Sequence, residues 1–141
     1  MSSAQYVILN VHDQNLAIGI EQVNEIISVP QIFKVPNSPD YVEGLISLRG
    51  KVYTVINLCK KFKLPVKDAD ENTKIVIVNS TSASIGLLVD NVKEIAAFDD
   101  SDIESSSDSV ATKSVNFIKG VAKKDDVVTI ILDVEKLIAA S

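Results

Sequence analysis

The chain carries a second copy of itself. Residues 6–27 align without a gap on residues 75–96, so that YVILN sits over IVIVN and IGIEQVNEII over LLVDNVKEIA. Residues 41–62 align in the same way on residues 117–138. That places Gly44 over Gly120, Ile56 over Leu132, Asn57 over Asp133 and Lys60 over Lys136. The spacing between copies widens in the second half because the second copy carries a longer polar insertion. Strands rich in Val and Ile resemble one another by chance, but a matched glycine, a matched Asn/Asp and a shared V-x-E-I are not generic strand features. A duplicated unit of this size predicts two similar lobes, with either a cleft between them or an adaptor with two ends.

The chain has 141 residues, so each lobe is too small to bury much surface alone and the two are expected to share a hydrophobic seam. Hydrophobic residues make up 46% and charged residues 23%, a globular balance. No apolar run approaches the roughly 20 residues that cross a bilayer. MSSAQYVIL lacks the basic stretch and cleavage site of a secretion signal. Cys59 is the only cysteine, which fits a reducing cytoplasm and removes an internal disulfide. The net charge of −5 argues against a nucleic-acid binder.

Along the chain, residues 6–11 and 16–20 read as a hairpin around His12-Asp13-Gln14-Asn15. Residues 22–29 fit either a helical turn or an irregular strand. Pro30, Pro36 and Pro39 make residues 30–40 an extended connection. Residues 41–48 and 52–56 are strands around the tight turn Arg49-Gly50-Lys51, and Asn57 caps the short helical segment 58–62. The second copy repeats this order with strands at 74–79, 85–89, 117–122 and 127–132, and with Asp133 capping a final helix over 134–140. Residues 90–96 mirror 21–27, and the Ser/Asp-rich stretch 99–114 is expected to be a loop. The fold class expected is mainly β: two small five-stranded barrels, short helical segments and a C-terminal helix. Lobe one spans about residues 12–72 and lobe two about 73–133, with exchange of the first strand between copies left open.

No catalytic set emerges. His12, the only histidine, sits in a turn with no orienting partner. Cys59 lacks a histidine to activate it and reads as a small buried hydrophobe. One Cys and one His do not make a zinc site, and no phosphate-binding glycine motif is present. Asp99, Asp100, Asp102 and Glu104 lack the glycine and oxygen spacing of a calcium loop. No metal or cofactor is therefore expected. Lys60, Lys61 and Lys63 flank Phe62, but on an acidic chain they read as a solvated face. Few aromatics and no Trp disfavour proline-rich peptide binding. What remains is apolar surface at Val7, Ile20, Val23, Ile26, Val89 and Val92. Core packing accounts for each, and a groove between lobes for a partner helix or peptide is the sharper reading. Glu25 and Glu94 occupy matched positions and read either as solvated carboxylates or as a rim that selects partners by charge.

The stretch PQIFKVPNSPDYVEGLISLRGKVYTVINLCKKFKL resembles the central signature of the CheW-like family, with its V-P-N-x-P and G-[LVI]-I-x-L-R-G blocks. IGIEQVNEII, IGLLVDNVKEI and NFIKGVAKKDDVVTIILDVEKLI are similar to its flanks, so the resemblance covers about residues 6–137. It implies a single CheW-like domain over residues 1–141, built as two SH3-like barrels on a common core. It further implies a cytoplasmic chemotaxis adaptor recruited to membrane receptor arrays without inserting into the bilayer. Its partners would be the regulatory domain of the histidine kinase CheA and the cytoplasmic tips of methyl-accepting receptors. Carried over by residue, the kinase-facing surface falls on Val23, Glu25, Glu43, Gly44 and Gly50. The receptor-facing groove falls on Val7, Ile20, Ile26, Arg49 and Val89. Arg49 has a second reading, as a brace between lobes through buried hydrogen bonds. After the L-R-G strand many relatives read D-L-R where this chain has Asn57-Leu58-Cys59, so a salt bridge from that third position is absent. A small-barrel module binding nucleic acid or peptide outside chemotaxis remains the alternative.

Overall fold

The computed structural model describes residues 3–81, 83–105 and 117–139. Eleven strands among these residues form two sheets. The elements are β1 (Ser3–Val11), β2 (Gln14–Gly19), β3 (Val23–Ser28), β4 (Val42–Leu48), β5 (Lys51–Asn57), α1 (Leu58–Lys61), β6 (Lys74–Asn79), β7 (Ser84–Val89), β8 (Asn91–Asp99), β9 (Ile103–Ser105), β10 (Ile118–Lys124), β11 (Val127–Leu132) and α2 (Val134–Ala139). Sheet one runs β8-β1-β2-β11-β10-β9 and sheet two β3-β6-β7-β5-β4. Each curls into a small barrel-like unit, called barrel one and barrel two. The matched pairs β2–β11 and β5–β7 are parallel, and all other neighbours run antiparallel.

The sheets cut across the division at residues 12–72 and 73–133. Barrel one takes its hairpin β1–β2 from the first copy and β8 to β11 from the second. Barrel two takes its hairpin β6–β7 from the second copy and β3 to β5 from the first. The copies have therefore exchanged whole hairpins rather than one strand. The chain crosses between sheets at residues 20–22, a 3-10 turn, and again at Asp90. Barrel one also holds six strands rather than five. The sixth, β9, and the 3-10 turn Asp100–Asp102 before it lie at the start of the expected 99–114 loop. The rest of that loop falls outside the described residues. Residues 22–29, ambiguous in sequence, are strand β3, with a bulge between Val23 and Glu25 that accounts for their irregular spacing.

Three hairpins share one device. Their turn residues adopt positive φ: 46° and 63° at His12 and Asp13, 48° and 82° at Arg49 and Gly50, 54° and 64° at Asp125 and Asp126. Two residues of that kind twist with the flanking strands, as tight hairpins require. The central strands β1 and β6 bury both faces. Val7, Leu9 and Val11 point to the seam between barrels while Ile8 fills barrel one. Val76 and Val78 point to the seam while Ile75 and Ile77 fill barrel two. This explains why YVILNV and KIVIVN read as continuous apolar runs rather than alternating ones. The seam is the main core, completed by Leu16, Ile18, Leu87, Leu58 and Leu137.

Both barrels close alike. In barrel two the connection after β3 pairs Phe33 with Leu45 of β4 through two 2.8 Å backbone hydrogen bonds. In barrel one β9 pairs with β10 at the matched place. Gly44 and Gly120 sit at matched bulges under these closures. The two caps also correspond. The Asn57 side chain accepts from the Lys60 amide at 3.2 Å, and that of Asp133 accepts from the Lys136 amide at 3.1 Å. Asn57 is buried and also donates to Glu43 at 2.8 Å. Asn57→Ala removes both contacts and is expected to lower stability by about 2 kcal/mol in a urea titration. A loss of only a few tenths would show that the cap is redundant.

Candidate protein-binding faces

Glu25 belongs to β3 and Arg49 to the β4–β5 turn, at opposite ends of sheet two in strand order. Barrel closure brings them together, and the Arg49 guanidinium donates to the Glu25 carboxylate. Arg49 remains about two-thirds exposed. The hydrogen bond to the Glu25 carboxylate, and then the carboxylate's charge, push the guanidinium pKa up. The expected brace through buried hydrogen bonds between lobes is therefore corrected. Arg49 makes an exposed ion pair within one barrel. The pair also unites a residue assigned to the kinase surface with one assigned to the receptor groove.

Gly50 stands beside this pair, and a Cβ built there would meet nothing within 4 Å. The turn thus presents open surface, although a φ of 82° at Gly50 resists any side chain there. Gly44 is different. It is buried with φ of 146°, and an added Cβ would lie 2.3 Å from the Phe33 carbonyl oxygen. It offers no surface to a partner and acts by letting the barrel close. Glu43, half-buried, accepts from Asn57 and pairs with Lys60 at 3.3 Å. Val23 packs half-buried on the seam core.

Among the groove residues, Val7 and Val89 are 3% and 1% exposed, deep in the seam core. Their side chains are packing, not rim, because β1 and β7 are buried on this face. Ile20 is half-buried against the same core. Ile26 lies opposite Val76, a seam residue, and so shares its face, yet it is 41% exposed. The groove expected from sequence is thus a seam with Val7 and Val89 beneath it and Ile20 and Ile26 reaching its edge. Ile95 stands where the repeat predicts a second Ile26. It lies opposite seam residue Val7 and is 57% exposed. The repeat alignment already paired Ile26 with Ile95 and could have flagged it. Exposed Phe33 and Val52 on barrel two and Val127 and Val128 on barrel one were also missed, since nothing in a Val-rich strand marks which valine faces out.

Chemistry is muted. Among the described residues no group of three or more His, Cys, Asp or Glu side chains could hold a metal ion. Nor is any helix there long and apolar enough to cross a membrane. Cys59 is 3% exposed, 3.8 Å from the Asp90 carboxylate, which also accepts from the His12 amide at 2.9 Å. Burial first, then the Asp90 charge, push the thiol up to about 11. The folded chain therefore holds this proton to higher pH than the unfolded chain does. Stability linked to the thiol is complete below the ordinary range near 9 and is lost as pH rises toward 11. At pH 8 the native chain is expected to react with a disulfide reagent about a hundredfold or more slowly than after denaturation. Equal rates would contradict this placement.

Comparison with known proteins agrees with this geometry. The model of the CheW-like domain matches residues 5–141. The chemotaxis protein CheW of Thermotoga maritima is 31% identical over 130 residues, covering 91% of this chain and 83% of its own. That of Klebsiella aerogenes is 26% identical over 136 residues, covering 96% and 82%. The crystal structure of the scaffolding protein TtCheW from Thermoanaerobacter tengcongensis superposes with a TM-score of 0.85 at 30% identity, covering 93% of this chain and 89% of that one.

Proposed function

The chain belongs to the CheW-like family, and from that premise we propose that it is a non-enzymatic adaptor of bacterial chemotaxis. It holds the regulatory domain of the histidine kinase CheA against the cytoplasmic tips of methyl-accepting receptors, in the cytoplasm at receptor arrays. The observation that carries this reading is the similarity to a scaffolding protein along nearly the whole chain, fold included. Barrel two offers the kinase face, centred on Glu25 and the Arg49–Gly50 turn, with Val23 and Glu43 beside it and Gly44 supporting the backbone. The edge of the seam, at Ile20 and Ile26, offers the receptor face above Val7 and Val89. Arg49, paired with Glu25, stands where a contact on either face is felt by the other.

The mechanism is linkage. An adaptor without chemistry changes kinase output only if it touches the active and inactive arrangements differently. The test is reconstitution of kinase, receptor-bearing membranes and this chain. Receptor control of kinase phosphorylation is expected only when the chain is present. Full control without it, or none with it, would reject the adaptor role.

A further inference from the structure

The two barrels differ at one end. In barrel two, Glu25 sits opposite Ile77, an interior residue, and so roots on the inward face at the barrel's mouth. Arg49 from the neighbouring turn covers it. In barrel one, Glu94 occupies the matched place, opposite the interior residue Ile8. The matching turn has the same backbone form but carries Asp125 and Asp126 in place of Arg49 and Gly50. Among the described residues, no cation pairs with Glu94.

The same mouth is also hollow. Following the repeat, Ile27 of barrel two becomes Ala96, Tyr53 becomes Thr129, Ile46 becomes Ala122 and Leu48 becomes Lys124. Ile27, Tyr53, Ile46 and Leu48 fill barrel two. Of their counterparts, Ala122 is buried in the barrel, while Ala96, Thr129 and Lys124 line an open cavity of about 410 Å³ together with Ile8, Asn15, Glu94, Phe98 and Val127. Lys93 and Asp125 line it as well. Lys124 is engaged, its ammonium donating to the Ala97 carbonyl at 2.9 Å.

We propose that the mouth of barrel one is a socket for one arginine side chain of a partner polypeptide, with Glu94 as its carboxylate. The side chains that barrel two has here and barrel one lacks are apolar, and among the described residues Glu94 lacks the cation that Arg49 supplies to Glu25. Arginine supplies both, an aliphatic stem for the hollow and a planar fork for the carboxylate. The chain's own Arg49 shows the guanidinium–carboxylate half of this arrangement in barrel two. The inference rests on the adaptor reading only for the existence of a partner.

The experiment follows backbone amide NMR signals of the full chain during titration with Nα-acetyl-arginine methylamide and, separately, with its neutral isostere Nα-acetyl-citrulline methylamide. Saturable shifts at Ala96, Ala97 and Thr129 are expected with the arginine probe and not with citrulline. They are expected to vanish in Glu94→Gln, and in Ala96→Ile, which restores the bulk found in barrel two. Equal responses to both probes, an unaltered response in Glu94→Gln, or shifts confined to barrel two overturn the socket. With the kinase regulatory domain and receptor fragments, Glu94→Gln is expected to weaken one of the two complexes about tenfold. Unchanged affinity for both overturns the socket's use in assembly. It leaves the adaptor reading intact, because that reading is tested through Glu25 on the other barrel.

Discussion

Gly44→Ala is expected to destabilise the chain by about 3 kcal/mol or more, lowering the melting temperature by about 10 °C. The new methyl carbon would lie 2.3 Å from the Phe33 carbonyl oxygen, at a φ of 146° that side chains resist. The oxygen cannot retreat cheaply, since it accepts the Leu45 amide at 2.8 Å and thereby closes barrel two. Kinase binding should fall together with the melt, because Glu25 and Arg49 meet only when the barrel is closed. Gly120→Ala is the matched control. Its Cβ would lie 2.5 Å from the Glu104 carbonyl oxygen, but the strand it displaces, β9, stands at the sheet edge and pairs with β10 through only three described residues. A smaller loss is expected there. If Gly44→Ala melts normally yet fails to bind kinase, Gly44 touches the partner and does more than let the barrel close.

Glu25→Arg should behave in the opposite manner. Arg49 is two-thirds exposed and Glu25 half-buried at the barrel's mouth, and pairs open to solvent contribute little to stability, so circular dichroism melts should shift by no more than about 2 °C. Affinity for the kinase regulatory domain should fall at least about thirtyfold, since a carboxylate at the centre of a docking face becomes a second cation beside Arg49. The double variant Glu25→Arg with Arg49→Glu restores the ion pair in reverse. Binding should remain lost, because a partner reads which charge stands where. Recovery in the double variant would show that only the internal pair matters and that the face lies elsewhere.

The division between what the sequence reveals and what it conceals follows from the symmetry of the duplication. Gly44 over Gly120 and Asn57 over Asp133 are matched because both barrels need the same bulge and the same cap, so the repeat exposes them. The hairpin exchange is hidden for the same reason. β8 pairs with β1 and β3 pairs with β6, and a repeat alignment looks identical whichever way they pair. Val7 and Val89 resemble groove residues because strands buried on both faces have no polar alternation to show which face is sealed. Ile26 and Ile95 differ from them only by lying on edge strands of their sheets. The Glu25–Arg49 pair escapes sequence reasoning altogether, since it depends on closure of a barrel between β3 and β4, strands that follow one another in the chain but stand at opposite ends of the sheet. Glu94 was noticed as a matched carboxylate. Its hollow is not legible there, because it arises from Ala96 and Thr129 together, two small residues that mean nothing singly.

The most direct measurement is isothermal titration of this chain into the isolated CheA regulatory domain, with the native chain and Glu25→Arg compared in one buffer. A saturable one-to-one complex that Glu25→Arg abolishes is the predicted result. No heat of binding from the native chain, with the two proteins shown to be folded, would contradict the claim that barrel two is a kinase-docking face.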